Sequence, residues 1–389
     1  MEATTRKVRA GSRETPLART FAAQPWREAG AILVVTRLGF LLVAYAASWL
    51  LASGEGRLEQ GGLGIWAQWD ALHFFGVAEH GYSGPGSEPF ATAFWPGFPL
   101  ALRALTFVGL APVTAGLVIS GVASLVAFVF LHKLADDELG GGSGWRAVTY
   151  LALFPTSVFL VAPYSEALFL AGTIPAFYLA RRGRWLLAGV PAAVAVGTRA
   201  AGLFLLFGLA LELLRQRPLS RARARDATLG LALGALPAFA YAAFLAATKG
   251  DALYFFTDQR LGWGRTLTNP ISSLMSTWNT WSGADYPSNW IFAWRLEIVA
   301  AAVGIGLVGW ALAKREWGYA GYMGAMMAAL LTSTWYFSIP RMLLSLFPAV
   351  LFLAEATRGR SEAHELTVIA LASLASLGVV VFTQGAWFY

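Results

Sequence analysis

Residues 65–99 read IWAQWDALHFFGVAEHGYSGPGSEPFATAFWPGFP, and here the chain gathers side chains able to move a proton. Good helix formers run from Asp70 to Glu79, so Asp70, His73 and Phe74 share one helical face at spacings of three and four. Trp66 and Trp69 beside them suit a membrane–water interface. A carboxylate at the rim of an apolar bundle can serve as a general base, shielded by its neighbours yet open to a hydroxyl acceptor. The competing reading is that Asp70 only caps its helix or pairs with an arginine there, and spacing leaves both open. Asp70, His73, Glu79 and His80 also suggest a divalent metal. The spacing is not that of HExxH, however, and Glu79 lies far round the helix from Asp70, so no tightly bound metal is expected. His73 and His80 then read as interfacial hydrogen-bonding groups.

Four further stretches repeat the theme of carboxylate, arginine and aromatic ring. APYSEALF places Tyr164, Ser165 and Glu166 at a helix start, where Ser165 is a candidate cap and Glu166 suits the first turn. GTRAAG sets Arg199 between two short apolar runs. SIPRMLLSLFP puts Arg341 directly after Pro340, and an arginine there suits a phosphate because its planar fork binds oxyanions in pairs. FFTDQRLGWGR gathers Asp258, Gln259, Arg260, Trp263 and Arg265, a polar and stacking surface fit for sugar and phosphate. Singly, each has a structural explanation. Together they make Asp70 the candidate base and Trp69, His73, His80, Tyr164, Glu166, Arg199, Gln259, Trp263, Arg265 and Arg341 the candidate substrate-binding set.

The elements that must hold these groups are membrane helices. Of 389 residues 57% are hydrophobic and 13% charged, where a soluble protein carries about a quarter charged. The apolar runs fall at 31–52, 113–132, 147–163, 166–180, 185–198, 200–214, 228–247, 291–313, 318–337, 341–356 and 366–385. This predicts an all-α, polytopic integral membrane protein with about 11 transmembrane helices. Residues 97–110 are apolar but interrupted by Arg103, which suits an interfacial or re-entrant helix. Lys and Arg concentrate on one side of these runs, which puts the N-terminus in the cytoplasm and the loops 53–112 and 248–290 outside. The Arg-rich residues 1–29 read as a flexible basic cytoplasmic tail and 30–389 as one transmembrane domain. A net charge of +7 distributed this way points to membrane lipids and not to nucleic acid. Without cysteine there are no disulfides, and no GxxxxGK[ST] phosphate loop is present.

WDALHFFGVAEHGY, FWPGFPL and FPTSVFLVAPYSEALF resemble motifs of the PIG-V family, the GPI mannosyltransferase II family with its bacterial relatives. GTRAAGL, FFTDQRLGWGR and SIPRMLLSLFP resemble later segments of those relatives. The resemblance implies a GT-C type glycosyltransferase in a bacterial plasma (inner) membrane, with a long helical first extracytoplasmic loop and its site outside the cytoplasm. It further implies a polyprenyl-phosphate-mannose donor, inversion at the anomeric carbon and Asp70 as base. The acceptor would be a hydroxyl of a glycolipid, glycan or protein, with no tightly bound cofactor. A transporter or flippase of lipid-linked saccharides, or a non-catalytic binder of them, is the alternative.

Overall fold

The computed structural model describes residues 23–51, 62–282 and 288–386. Among them the chain is helical, with no strand beyond one isolated bridge between Leu267 and Ser333. Most of the tail assigned to 1–29 lies outside the described residues, and the rest is already helix, because α1 spans Ala23–Leu50. The segment that follows holds α2 (Asp70–His80) and α3 (Gly97–Phe107), joined by a 3-10 turn at Ala91–Ala93. Then come α4 (Pro112–Leu139), α5 (Gly144–Ala152), α6 (Glu166–Arg181), α7 (Trp185–Thr198), α8 (Gly202–Arg215) and α9 (Arg221–Lys249). The second half contains α10 (Tyr254–Trp263), α11 (Pro270–Ser282), α12 (Ser288–Ala313), α13 (Trp317–Leu331), α14 (Ile339–Ser345), α15 (Pro348–Ala356) and α16 (Ser361–Thr383).

This is a helical membrane protein, but the helix lengths support fewer crossings than the apolar runs predict. Five described helices are long and apolar enough to span: α1, α4, α9, α12 and α16. The run at 341–356 is not one rod: α14 and α15 meet at 76°, and counting that pair as one span gives six. The break falls at Leu346, which leaves helical geometry at φ −78°, ψ 58°, and Pro348 in the first turn of α15 has no N–H to donate back to α14. The run at 147–163 also fails to form one helix. It is α5, then an irregular stretch at Pro155, then a 3-10 turn at Ser157–Leu160. At 16, 14 and 14 residues, α6, α7 and α8 reach only about 21–24 Å at ~1.5 Å per residue.

α6 lies at the centre, nearly all of it buried, packed by α4, α7, α8 and the start of α14. Small residues let the helices approach. A Cβ on Gly172 of α6 would stand 2.6 Å from the Pro191 carbonyl of α7, and one on Gly230 of α9 only 2.1 Å from the Trp185 carbonyl. Such contact is how helices associate in lipid, where apolar burial gives little drive.

Candidate active site

Four chain segments deliver charge to one place. The first is the turn into α2. Trp69 adopts φ 52°, ψ −119°, strain a tryptophan accepts only where its surroundings fix it. Part of that fixation is visible: the Tyr164 hydroxyl donates to the Gln68 carbonyl at 2.8 Å. Asp70 follows as the first residue of α2, and its Oδ2 accepts from Arg341 Nη1 at 2.6 Å.

The second and third segments are the starts of α6 and of the turn after α7. Glu166 is wholly buried, and its Oε1 accepts from both Arg199 Nη1 and Arg341 Nε. Its Oε2, also buried, makes no hydrogen bond among the described residues. Ser165 holds the N-cap position expected of it, but its side chain makes no cap bond and instead accepts from Arg199 Nη1 at 3.3 Å. Arg199 stands in extended conformation just past α7, and its Nη2 reaches Met342 Sδ at 3.3 Å. Gly97 of the FWPGFPL motif makes this turn reachable: a Cβ there would lie 2.8 Å from the Gly197 carbonyl.

The fourth segment is the strap before α14. Ser338 has φ 63°, and its N–H donates to Glu297 Oε1 at 2.6 Å while that of Ile339 donates to Oε2 at 2.8 Å. Glu297 is buried and caps the first turn of α14 from α12. Pro340 needs no such partner, and Arg341 comes next. The Arg341 guanidinium lies 4.7 Å from both the Phe159 and Tyr164 ring centroids, so it is held between two carboxylates and two aromatic faces. Arg265 stands behind it, its Nη2 donating to the Phe337 carbonyl at 3.2 Å and its Nη1 to Gln259 Oε1 at 3.5 Å. Enclosure brings the Arg265 guanidinium down to about 10, with Glu297 acting in the other direction, so it stays charged at neutral pH.

Aromatic residues tie the segments around α2 and α10 together beside this cluster. His73 stacks on Phe94 at 4.9 Å, and Trp263 meets His73, Phe94 and Phe90 edge-on. His73 Nδ1 lies 3.3 Å from Glu88 Oε2, within ion-pair range but without hydrogen-bond geometry. His80 points elsewhere, 3.8 Å from Glu79 and against Gly86. Asp258 Oδ2 accepts from the Thr92 hydroxyl at 2.6 Å and from its N–H at 3.1 Å, locking α10 to the first segment.

The sequence candidates therefore divide. Asp70, Tyr164, Glu166, Arg199 and Arg341 touch one another. Gln259 and Arg265 back the strap, Trp263 and His73 form an aromatic wall, and half-exposed Trp69 sits at the lip. His80 makes no contact with the cluster. Phe159 and Glu297 were not anticipated. Glu297 carried a readable signal, since a lone carboxylate in an apolar run marks a site or its support. Among the described residues no three His, Asp or Glu side chains converge as metal ligands.

Fold and site define a helical membrane protein with an arginine–carboxylate cluster at one end of its bundle. The model of the mannosyltransferase (PIG-V) family matches residues 56–214. GPI alpha-1,6-mannosyltransferase 2 of Cricetulus griseus is 39% identical over 158 residues, covering 38% of this chain and 31% of that protein. The protein of the same name from Homo sapiens is 37% identical over 158 residues, 38% and 31% of the two chains. That of Mus musculus is 36% identical over 172 residues, 41% and 34%. Residues 56–214 of the chain are thus similar to the PIG-V mannosyltransferases. The chain spans about a third of the length of these curated relatives. Asp70, Tyr164, Glu166 and Arg199 fall inside the matched segment, while Arg265 and Arg341 lie beyond it.

Proposed function

We propose that the chain is an inverting mannosyltransferase that moves mannose from a polyprenyl-phosphate-mannose donor to a hydroxyl acceptor on the extracytoplasmic side. One observation carries the reading: Arg341 is joined at once to Asp70 and Glu166, and Arg199 shares the same Glu166 oxygen. In the reaction the acceptor O–H gives its proton to Asp70 and its oxygen attacks the anomeric carbon. The bond from that carbon to the phosphate oxygen breaks, and its electron pair leaves with the lipid phosphate. Asp70 loses one negative charge as the departing phosphate gains one. Arg341, already on Asp70, can follow that charge to the phosphate, with Arg199 and Arg265 near enough to share it. Glu166 keeps Arg341 in place throughout, since the second ion pair survives when the first is neutralised.

We read the short apolar helices together with the longer ones as about eleven crossings of a GT-C type bundle. On this reading the N-terminus is cytoplasmic and the segments 53–112 and 248–290 lie outside, as the basic clusters suggest. A glycolipid, glycan or protein hydroxyl would fit the acceptor role. The test is incubation of the purified protein with polyprenyl-phosphate-mannose and an acceptor, scored by release of polyprenyl phosphate. Asp70→Asn should bind donor and fold normally yet turn over 10²–10⁴-fold more slowly, the ordinary cost of losing a general base. A transporter or a binder would keep its activity in that variant. A folded Asp70→Asn protein with more than about a tenth of the wild-type single-turnover rate removes Asp70 as the base.

A further inference from the structure

α11 exposes an apolar stripe, with exposed Ser272, Ser276 and Asn279 along one edge of it. Ser273 and Thr277, four residues apart, are wholly buried. Ile271, Leu274, Met275 and Trp278, at the i, i+3, i+4, i+7 positions of the outer face, are 75%, 37%, 50% and 47% exposed. Leu267, just before the helix, is 88% exposed. A helix facing water would present the opposite pattern. At 13 residues, about 20 Å at ~1.5 Å per residue, and with seven of them Ser, Thr or Asn, it is unlike the short apolar helices and too polar to cross a bilayer. It is continuous in the chain with α12, a span-length helix that also turns Phe292, Val299 and Val303 outward.

The inner side of the same segment holds the strap that carries Arg341. Thr266 N–H donates to Thr334 Oγ1 at 2.9 Å, and Thr268 N–H to the Thr332 carbonyl at 2.8 Å. Tyr336 N–H donates to Thr277 Oγ1 at 2.8 Å, and Arg265 to the Phe337 carbonyl at 3.2 Å. The strap is thus stitched along its length to residues 265–277, and its last residues are capped by Glu297.

We propose that α11 and Leu267 lie in the interfacial layer of the bilayer, with lipid as the partner of the outer face, so that the Arg341 strap is anchored at the level of lipid headgroups. The proposal requires a membrane protein but not the catalytic reading, and its test involves no turnover. Because the chain has no cysteine, nitroxide labels can be placed singly at Leu267→Cys, Ile271→Cys, Met275→Cys, Ser273→Cys and the exposed Ser220→Cys. The full chain is reconstituted in phosphatidylethanolamine–phosphatidylglycerol vesicles, and collision with oxygen and with a water-soluble nickel chelate is read by electron paramagnetic resonance. Labels at 267, 271 and 275 should show an oxygen-to-nickel ratio several-fold above that at 220, with the label at 273 poorly reached by either. A ratio at 267, 271 and 275 equal to that at 220 would put the face in water. Poor access of both quenchers at those three positions would mean that protein covers it. Either result overturns the proposal.

Discussion

Glu166→Gln tests the keystone of the cluster. Glu166 Oε1 accepts from two guanidiniums in a wholly buried position, and among the described residues Asp70 is the only other carboxylate bonded to either arginine. The two carboxylates balance Arg199 and Arg341, and the amide leaves one positive charge over. Breaking a buried ion pair from one side costs about 3–5 kcal/mol, against a total stability of about 5–15 kcal/mol for an ordinary domain. At ~2 °C per kcal/mol, the low end of the range for larger domains, the midpoint should fall by roughly 6–10 °C. The assay is thermal unfolding of the detergent-purified protein, followed by the fluorescence of its 16 tryptophans. Arg199→Met in the same protein should return part of the loss, because it removes the excess charge, giving a coupling of at least ~1 kcal/mol between the positions. A midpoint for Glu166→Gln within about 2 °C of wild type would refute the keystone role.

Further outcomes follow from the same geometry. Arg341→Lys keeps the charge but cannot reach Asp70 and Glu166 together, so its turnover at limiting donor should fall nearly as far as that of Arg341→Ala; normal turnover in both variants would remove Arg341 from the reaction. Gly97→Ala inserts a methyl 2.8 Å from the Gly197 carbonyl and should cost about 1–3 kcal/mol through overpacking, read as a lowered unfolding midpoint; an unchanged midpoint would mean that the α3–α7 contact is loose. In intact cells an impermeant thiol reagent should label Ser83→Cys and spare Ser220→Cys, and the reverse pattern would invert the proposed orientation.

The individual motifs were legible because each sets a charged or amide side chain in an apolar setting, which sequence displays openly. Asp70, Glu166, Arg199 and Arg341 were all visible in this way. Their partnerships were not, since Asp70 and Arg341 are 271 residues apart and no local pattern joins them. Asp70 was open to two readings, a general base or half of an ion pair, and the geometry shows the ion pair without removing the base. The apolar runs located helical segments, yet hydropathy does not register the breaks near Pro155 and Pro348, where length was lost from the expected spans. α11 stayed hidden because its serines and threonines spread along the sequence as they do in a polar loop. Only the fold shows that Ser273 and Thr277 turn inward.

The spacing of the cluster also sets the order in which the chain acquires its charges. Glu166 is synthesised 175 residues before Arg341, an interval of about 9–35 s at ~5–20 residues per second. Arg199 follows Glu166 by only 33 residues, so one counter-ion accompanies the carboxylate into the nascent bundle. The second arrives only after α8 to α13 have been made. A chain stalled or truncated before Ile339 therefore carries Glu166 half-neutralised and Asp70 without its arginine, a buried charge defect. Formation of the Arg341 contacts is thus a chemical mark that synthesis has passed α14.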